Sequence, residues 1–411
     1  MPISRAAGIV ALAACAKFCS APGQSFFIAV FVDHLIAGTS VTRTGFAVMY
    51  GLATVFSAAT VLGVGRAVDR RGVAPVWASV ALGLSAGCLV LSLATGPALV
   101  FLALCLMRGF GQGSFPLLGT VLVASSFEAA RGRALSLSSQ GIAVATATLP
   151  ALCVVLIAAV GWRPTLQIVA ATLALVVVPL SLLARSGRRR PALAQPRPAA
   201  LRETLRRPGV RSLLLIFAVP PLVTTAIVVN AVSVLGEIGL GSGEAAGAIG
   251  VMALSAVGGA LIGGLLVDRF APRVVLAAMG ATLVASTVLM LAKLPVAAYA
   301  GFVALGLAGG LYTTANGSLW AQTYGTEGLG RLQSLASSGQ ILGAALGPLP
   351  LALSLSLGGS YAPGLALLAA LAGAGLLGGW LWASRAARRD ATPGTQLLRP
   401  RRSPAGSSAA A

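Results

Sequence analysis

Apolar runs of about 20 residues recur from one end of the chain to the other, each long enough to cross a bilayer as a helix. Nothing else in the sequence constrains the fold as much. A backbone in lipid has no water to bond to and must satisfy its own N–H and C=O groups. A helix does so within one segment, whereas a closed barrel would show short alternating segments. The runs can be drawn as twelve spans: 8–32, 45–66, 74–94, 97–120, 134–159, 163–184, 211–235, 245–267, 274–292, 296–318, 332–356 and 363–384. Only 9% of the 411 residues are charged, against about 25% in an ordinary soluble protein. The predicted fold is an all-α polytopic membrane protein with twelve transmembrane helices. The first run is long and lacks a small-residue cleavage pattern, so it reads as a membrane helix and not a signal peptide.

The 29 basic and 9 acidic residues give a formal charge of +20. Such an excess first suggests nucleic acid. Its distribution argues against that partner, because the arginines sit in short gaps and tails. Alternate gaps hold Arg66, Arg70 and Arg71, then Arg131 and Arg133, then the arginine-rich segment 185–211, then Arg269 and Arg273, then Arg331. The tail adds Arg385, Arg388 and Arg389. The intervening gaps hold no more than Arg43, Arg163 and Lys293. The positive-inside rule puts the first set and both termini in the cytoplasm, and the even number of spans agrees. The expected location is a bacterial inner membrane, with the chain a monomer in contact with lipid.

Composition divides the chain into an N-terminal six-helix bundle (1–184), a basic cytoplasmic linker (185–210), a C-terminal six-helix bundle (211–384) and a disordered basic tail (385–411). The linker carries Pro191, Pro196, Pro198 and Pro208. Both basic segments can meet anionic headgroups.

Several function classes fall away. The five cysteines lie in apolar runs without metal-like spacing, and no cofactor is expected. Gly109, Gly111 and Gly113 lie inside an apolar span, outside the strand–turn–helix setting of a nucleotide loop, and read as packing glycines. Neither a Walker-type loop nor a nucleophile–base set is visible, so neither ATP-driven transport nor an enzyme is expected.

The stretch Gly65–Gly72, "GRAVDRRG", crowds charge between two apolar runs, and it has an echo. Gly264, Asp268 and Arg269 repeat the spacing of Gly65, Asp69 and Arg70. At nearly the same offset, Gly132-Arg133, Ser136-Leu137, Ser139, Gly141 and Pro150 return as Gly330-Arg331, Ser334-Leu335, Ser337, Gly339 and Pro348. Two matches at one offset imply two halves of six helices each. An even number of spans per half makes the repeats parallel, related by an axis along the membrane normal.

With these motifs the chain resembles the major facilitator superfamily of secondary transporters over residues 8 to about 384. The resemblance rests on Gly65, Asp69, Arg70 and Gly72 after the second span and on Gly264, Asp268 and Arg269 after the eighth. It implies two pseudo-symmetric six-helix bundles and alternating access. It also implies that Asp69, Arg70, Asp268 and Arg269 are gating residues whose charged contacts hold one closed arrangement. Read from the residues alone, the same charges could simply anchor loops at the surface. Below the superfamily, Gly23-Gln24-Ser25-Phe26-Phe27, Ser40 to Thr44, Tyr50 and Lys17 look like the start of monocarboxylate-transporter-like, organic-anion carriers.

Four further residues are candidates for substrate binding or coupling. Arg108 and Lys17 are cations deep inside spans, where charge is costly and usually faces a cavity or a partner. Lys17 could instead snorkel, and Arg108 could serve a structural contact. If both face a cavity, they favour an anionic substrate such as a carboxylate. Asn230 and Asn316 could bind substrate or join helices. No Asp or Glu lies mid-span, which leaves Asp33 and His34 as titratable groups near the end of the first span and leaves proton coupling open. The expected function is secondary transport of a small solute, an organic anion, by alternating access. The competing reading is efflux of hydrophobic or cationic drug-like compounds. Gly339, Gly343, Gly347 and Pro348 are expected to give close helix contact.

Overall fold

The computed structural model describes residues 3–127, 131–183, 204–324 and 329–390. Most of the predicted linker and the segment 391–411 therefore lie outside the described residues, as do the side chains of Asp69, Arg131, Arg133 and Arg331. The described residues form twelve helical spans of membrane length. Spans 1 to 6 are Ala6–Gly38, Arg43–Val68, Val73–Ser92, Pro97–Val123, Ala134–Val160 and Trp162–Leu183. Spans 7 to 12 are Val210–Val229, Ser242–Arg269, Pro272–Leu291, Pro295–Tyr324, Leu335–Gly358 and Ala362–Arg385. Each overlaps its predicted run. Two edges differ. The predicted seventh run is interrupted at Asn230 and resumes as a short helix, Ala231–Gly236. The last helix continues to Asp390, into the stretch expected to be disordered tail.

Outward faces are as apolar as inward ones. Leu215, Leu254, Leu261 and Val155 are all exposed, as helices solvated by lipid require. Inside, aromatic side chains fill the space between spans. Trp77 meets Phe115 edge to face at 5.7 Å, and its indole N–H donates to the carbonyl of Val177 at 3.1 Å. That carbonyl closes a π-helical turn, Leu173–Val177, whose widened ladder leaves room for an outside donor.

Glycines set how closely spans approach. A Cβ on Gly343 or Gly347 would strike the backbone of Ala218 or Leu222, so span 11 lies directly against span 7. Spans 8 and 10 interlock in the same way, with Gly259 against Leu307 and Gly306 against Met252. The sequence anticipated the span 11 seam from its four-residue glycine spacing.

Spans 1, 4 and 5 pack together, as do 3 and 6, 7 and 11, and 9 and 12. Across the two halves, span 2 packs on span 11 and span 5 on span 8. Under the repeat, span 2 corresponds to span 8 and span 11 to span 5. The two cross-contacts are therefore one contact made twice, as a pseudo-twofold axis between the halves demands.

Candidate functional site

Span 1 is discontinuous. Its first helix ends at Cys19, a short 3-10 turn covers Ala21–Gly23, and helix resumes at Ser25. Pro22 causes part of this, since it has no N–H to give to the preceding turn. Gln24 is extended, at φ −90° and ψ 155°. The freed groups bond locally: Ser20 Oγ donates to the carbonyl of Lys17 at 2.6 Å, and Gly23 N–H donates to that of Ser20 at 3.0 Å.

Span 4 is irregular at the facing level, with a π-helical segment over Met107–Ser114. Such widened turns concentrate at functional sites. A Cβ on Gly111 would lie 2.6 Å from Gly23 Cα, and one on Gly23 would lie 2.6 Å from Gln112 N. The flanking glycines turn elsewhere, Gly109 toward Thr60 and Gly113 toward Val61 in span 2. All three are packing glycines, as the sequence indicated.

Arg108 lies in this π segment and is 0% exposed. Its Nε donates to Thr54 Oγ1 at 3.0 Å and its Nη1 to the Gly23 carbonyl at 2.9 Å. The guanidinium sits 4.4 Å from the centre of the Tyr50 ring, whose negative face offsets part of the charge. Tyr50 is held in turn by a 2.7 Å hydrogen bond between its hydroxyl and Ser25 Oγ. No carboxylate pairs with Arg108 among the described residues, and its Nη2 is buried without a partner. The Gln112 side-chain oxygen is also buried and unpartnered.

Lys17 stands before the break and is 7% exposed. Its Nζ donates to Ser138 Oγ at 3.0 Å and Ser139 Oγ at 2.9 Å, both in span 5. Spans 4 and 5 reach it because Gly119 abuts the carbonyl of Ala13 and Gly141 that of Ala14. Lys17 thus does not snorkel; it is fixed inside the bundle by neutral hydroxyls. The two cations are not in contact, but they bracket the same break: Lys17 at its start, and Arg108 on Gly23 at its end.

The asparagines are placed differently. Asn230 sits at the break in span 7, 3% exposed, with Nδ2 donating to the Ala226 carbonyl at 2.9 Å. Asn316 is half-buried and accepts from Trp320 Nε1 at 3.0 Å within its own helix. No hydrogen bond among the described residues joins either one to Lys17 or Arg108.

At the arginine-rich end, Gly72 ends the helix of span 2 with φ +85°, a conformation only glycine adopts without strain. The second copy needs no such residue. Its helix ends at Arg269, and Phe270 and Ala271 follow with negative φ, so Ala271 fits where the first copy has glycine. Arg70, Asp268 and Arg269 are exposed and make no ion pair among the described residues. At the opposite end Asp33 pairs with Arg43. Its neighbour His34 is half-buried, and no hydrogen bond of its side chain is found among the described residues.

The sequence reading missed Thr54 and Ser138. Thr54 lies one turn after Tyr50 on the same helical face, which was the available signal. Ser138 had a weaker one, standing next to Ser139 in a stretch already picked out by the repeat.

The family model for the Major Facilitator Superfamily matches residues 13–273 and again 221–409. No curated protein gives a significant match. Among solved structures, one similar fold is a bacterial homologue of the human lysosomal transporter Spinster, inward-facing and unoccupied. It has a TM-score of 0.74 and 16% identity, over 94% of this chain and 98% of that one. The nucleoside transporter NupG is similar at a TM-score of 0.72 and 11% identity, over 93% of this chain and 99% of that one.

Proposed function

We propose that this chain, which belongs to the Major Facilitator Superfamily, carries a small organic anion. It is a membrane transporter and not an enzyme, moving a small solute by alternating access. The substrate class is our reading. One observation carries it: two buried cations, Lys17 and Arg108, flank the break in span 1 and have only neutral partners among the described residues. Isolated charge inside a bundle is costly, and a carboxylate is a stronger acceptor than a serine hydroxyl or a backbone carbonyl. A substrate carboxylate could take Lys17 from Ser139 and give Arg108 Nη2 the acceptor it lacks. The break itself leaves backbone groups free to adjust, as interrupted helices in transporters do. A cationic cargo would have to approach two fixed positive charges, which weighs against drug efflux.

The likeness of Gly23 to Phe27, Tyr50 and Lys17 to monocarboxylate-type carriers points the same way. Asn230 and Asn316 are proposed as contributions from the second half. Asp69, Arg70, Asp268 and Arg269 are proposed as the latch at the arginine-rich end, and we place that end and both termini in the cytoplasm. A co-transported proton would ride on the substrate carboxyl or on Lys17, since no acid lies mid-span.

The test is uptake into proteoliposomes of monocarboxylates, dicarboxylates, amino acids and cationic dyes, with and without a pH gradient. Anion flux that depends on Lys17 and Arg108 supports the reading. Dye efflux without anion flux overturns it. Faster anion flux down an imposed proton gradient would identify symport.

A further inference from the structure

We propose that the hydrogen bond from Ser233 to Asp33 is the joint that closes the transporter at the end opposite its arginine-rich loops, with Arg43 as the residue that positions Asp33. This rests on the alternating-access reading but not on the identity of the substrate.

Arg43 begins the helix of span 2, just after Thr42 caps it by accepting from Gly45 N–H. A cation there faces the positive end of the helix dipole, so the placement does nothing for the helix. It is explained by Asp33, at the far end of span 1, which forms an ion pair with Arg43. The pair is partly shielded, with side-chain exposures of 18% for Arg43 and 36% for Asp33. The oxygen of Asp33 that meets Arg43 also accepts from Ser233 Oγ at 2.6 Å. Ser233 belongs to the other half, in the short helix that follows the Asn230 break.

One turn on, Glu237 ties that helix to the start of span 12, accepting from Tyr361 N–H at 2.9 Å. Each half therefore fixes its own rim: Asp33 to Arg43 in one, Glu237 to Tyr361 in the other. Ser233–Asp33 spans the boundary between two rims that are each tied within their own half. Such a joint suits a gate. Breaking it costs one hydrogen bond, which water at the rim replaces, while the ion pair stays whole inside its half and Asp33 stays charged and aimed. At the opposite end Asp268 and Arg269 are exposed and make no ion pair among the described residues.

The experiment uses the full chain in liposomes with spin labels at Ser40→Cys and Gly243→Cys, one on each rim. Both positions are exposed, and a side chain at Gly243 meets nothing within 4 Å. The native cysteines alone serve as the labelling control. Pulsed distance measurement needs no substrate. We expect one short inter-rim distance in the parent. Ser233→Ala, which leaves every charge in place, should raise the ratio of long to short distances about tenfold, the loss of one hydrogen bond to a charged group. Arg43→Gln should shift it the same way, and Ser360→Ala, whose hydroxyl stays within one half, should not shift it. An unchanged distribution in Ser233→Ala overturns the proposal.

A second arm pairs Asp33→Cys with Ser233→Cys. Oxidative cross-linking should stop transport of whatever anion the uptake panel identifies, and reduction should restore it. Cross-linked protein that still transports overturns the proposal. An altered distance distribution in a protein that moves no anion would fault only the substrate reading.

Discussion

Gly23 and Gly111 meet backbone to backbone, so close that a methyl group on Gly111 would stand 2.6 Å from Gly23 Cα. The contact seats the broken part of span 1 in the widened turn of span 4 and places the Gly23 carbonyl where Arg108 can donate to it.

Alanine at either glycine should push the two spans apart. We expect a loss of about 1–3 kcal/mol for each, the usual cost of overpacking, read as a lower thermal midpoint in detergent. Transport should fall further than stability does, because Arg108 loses its backbone acceptor. Uptake by Gly63→Ala, where a Cβ meets nothing within 4 Å, supplies the comparison.

Arg108→Lys should not rescue Arg108→Gln. The guanidinium reaches Thr54, the Gly23 carbonyl and the Tyr50 face at once, while an ammonium offers one centre and no plane to stack. Initial uptake rates of both variants should fall about tenfold or more, in line with the loss of a charge-assisted contact. A lysine variant at parental rate would show that only charge is needed.

Lys17→Met should raise the KM for an anion about tenfold and leave the protein folded, since its partners are two serine hydroxyls that retain other bonds. Ser138 and Ser139 each donate to the Leu135 carbonyl, so Ser139→Ala should change KM little. Concentration-dependent uptake distinguishes these outcomes.

Gly72→Ala should cost about 1–3 kcal/mol for forcing a side chain to φ +85° and ψ 174°, whereas Ala271→Gly should give no gain at the matching place in the second half. Thermal unfolding of the two variants, side by side, checks the asymmetry.

The helices were legible because lipid makes one demand on every span, and a run of apolar residues meets it without help from distant parts of the chain. The seam of Gly343 and Gly347 on span 7 was legible for a similar reason, since four-residue spacing fixes a face. The break in span 1 was not. Pro22 and Gly23 signal a bend, but whether helix resumes depends on what lies opposite, and the π segment at Met107–Ser114 has no periodic mark of its own. The partners of Arg108 were hidden likewise. Depth alone marked it as costly, and only folding shows that its acceptors are a threonine in span 2 and a carbonyl in span 1. Asn316 illustrates the converse: a polar residue at mid-depth whose observed bond is to Trp320, one turn along its own helix.

Where spans meet at glycine, as Gly343 does with Ala218 and Gly306 with Met252, a substitution has no side chain to push aside and must move a whole helix. On the lipid face, at Leu215 or Leu254, the same change meets only fluid hydrocarbon. Mutational tolerance should therefore be distributed inside out: freest where the protein is greasiest, and nearly absent at the glycines that face another helix's backbone.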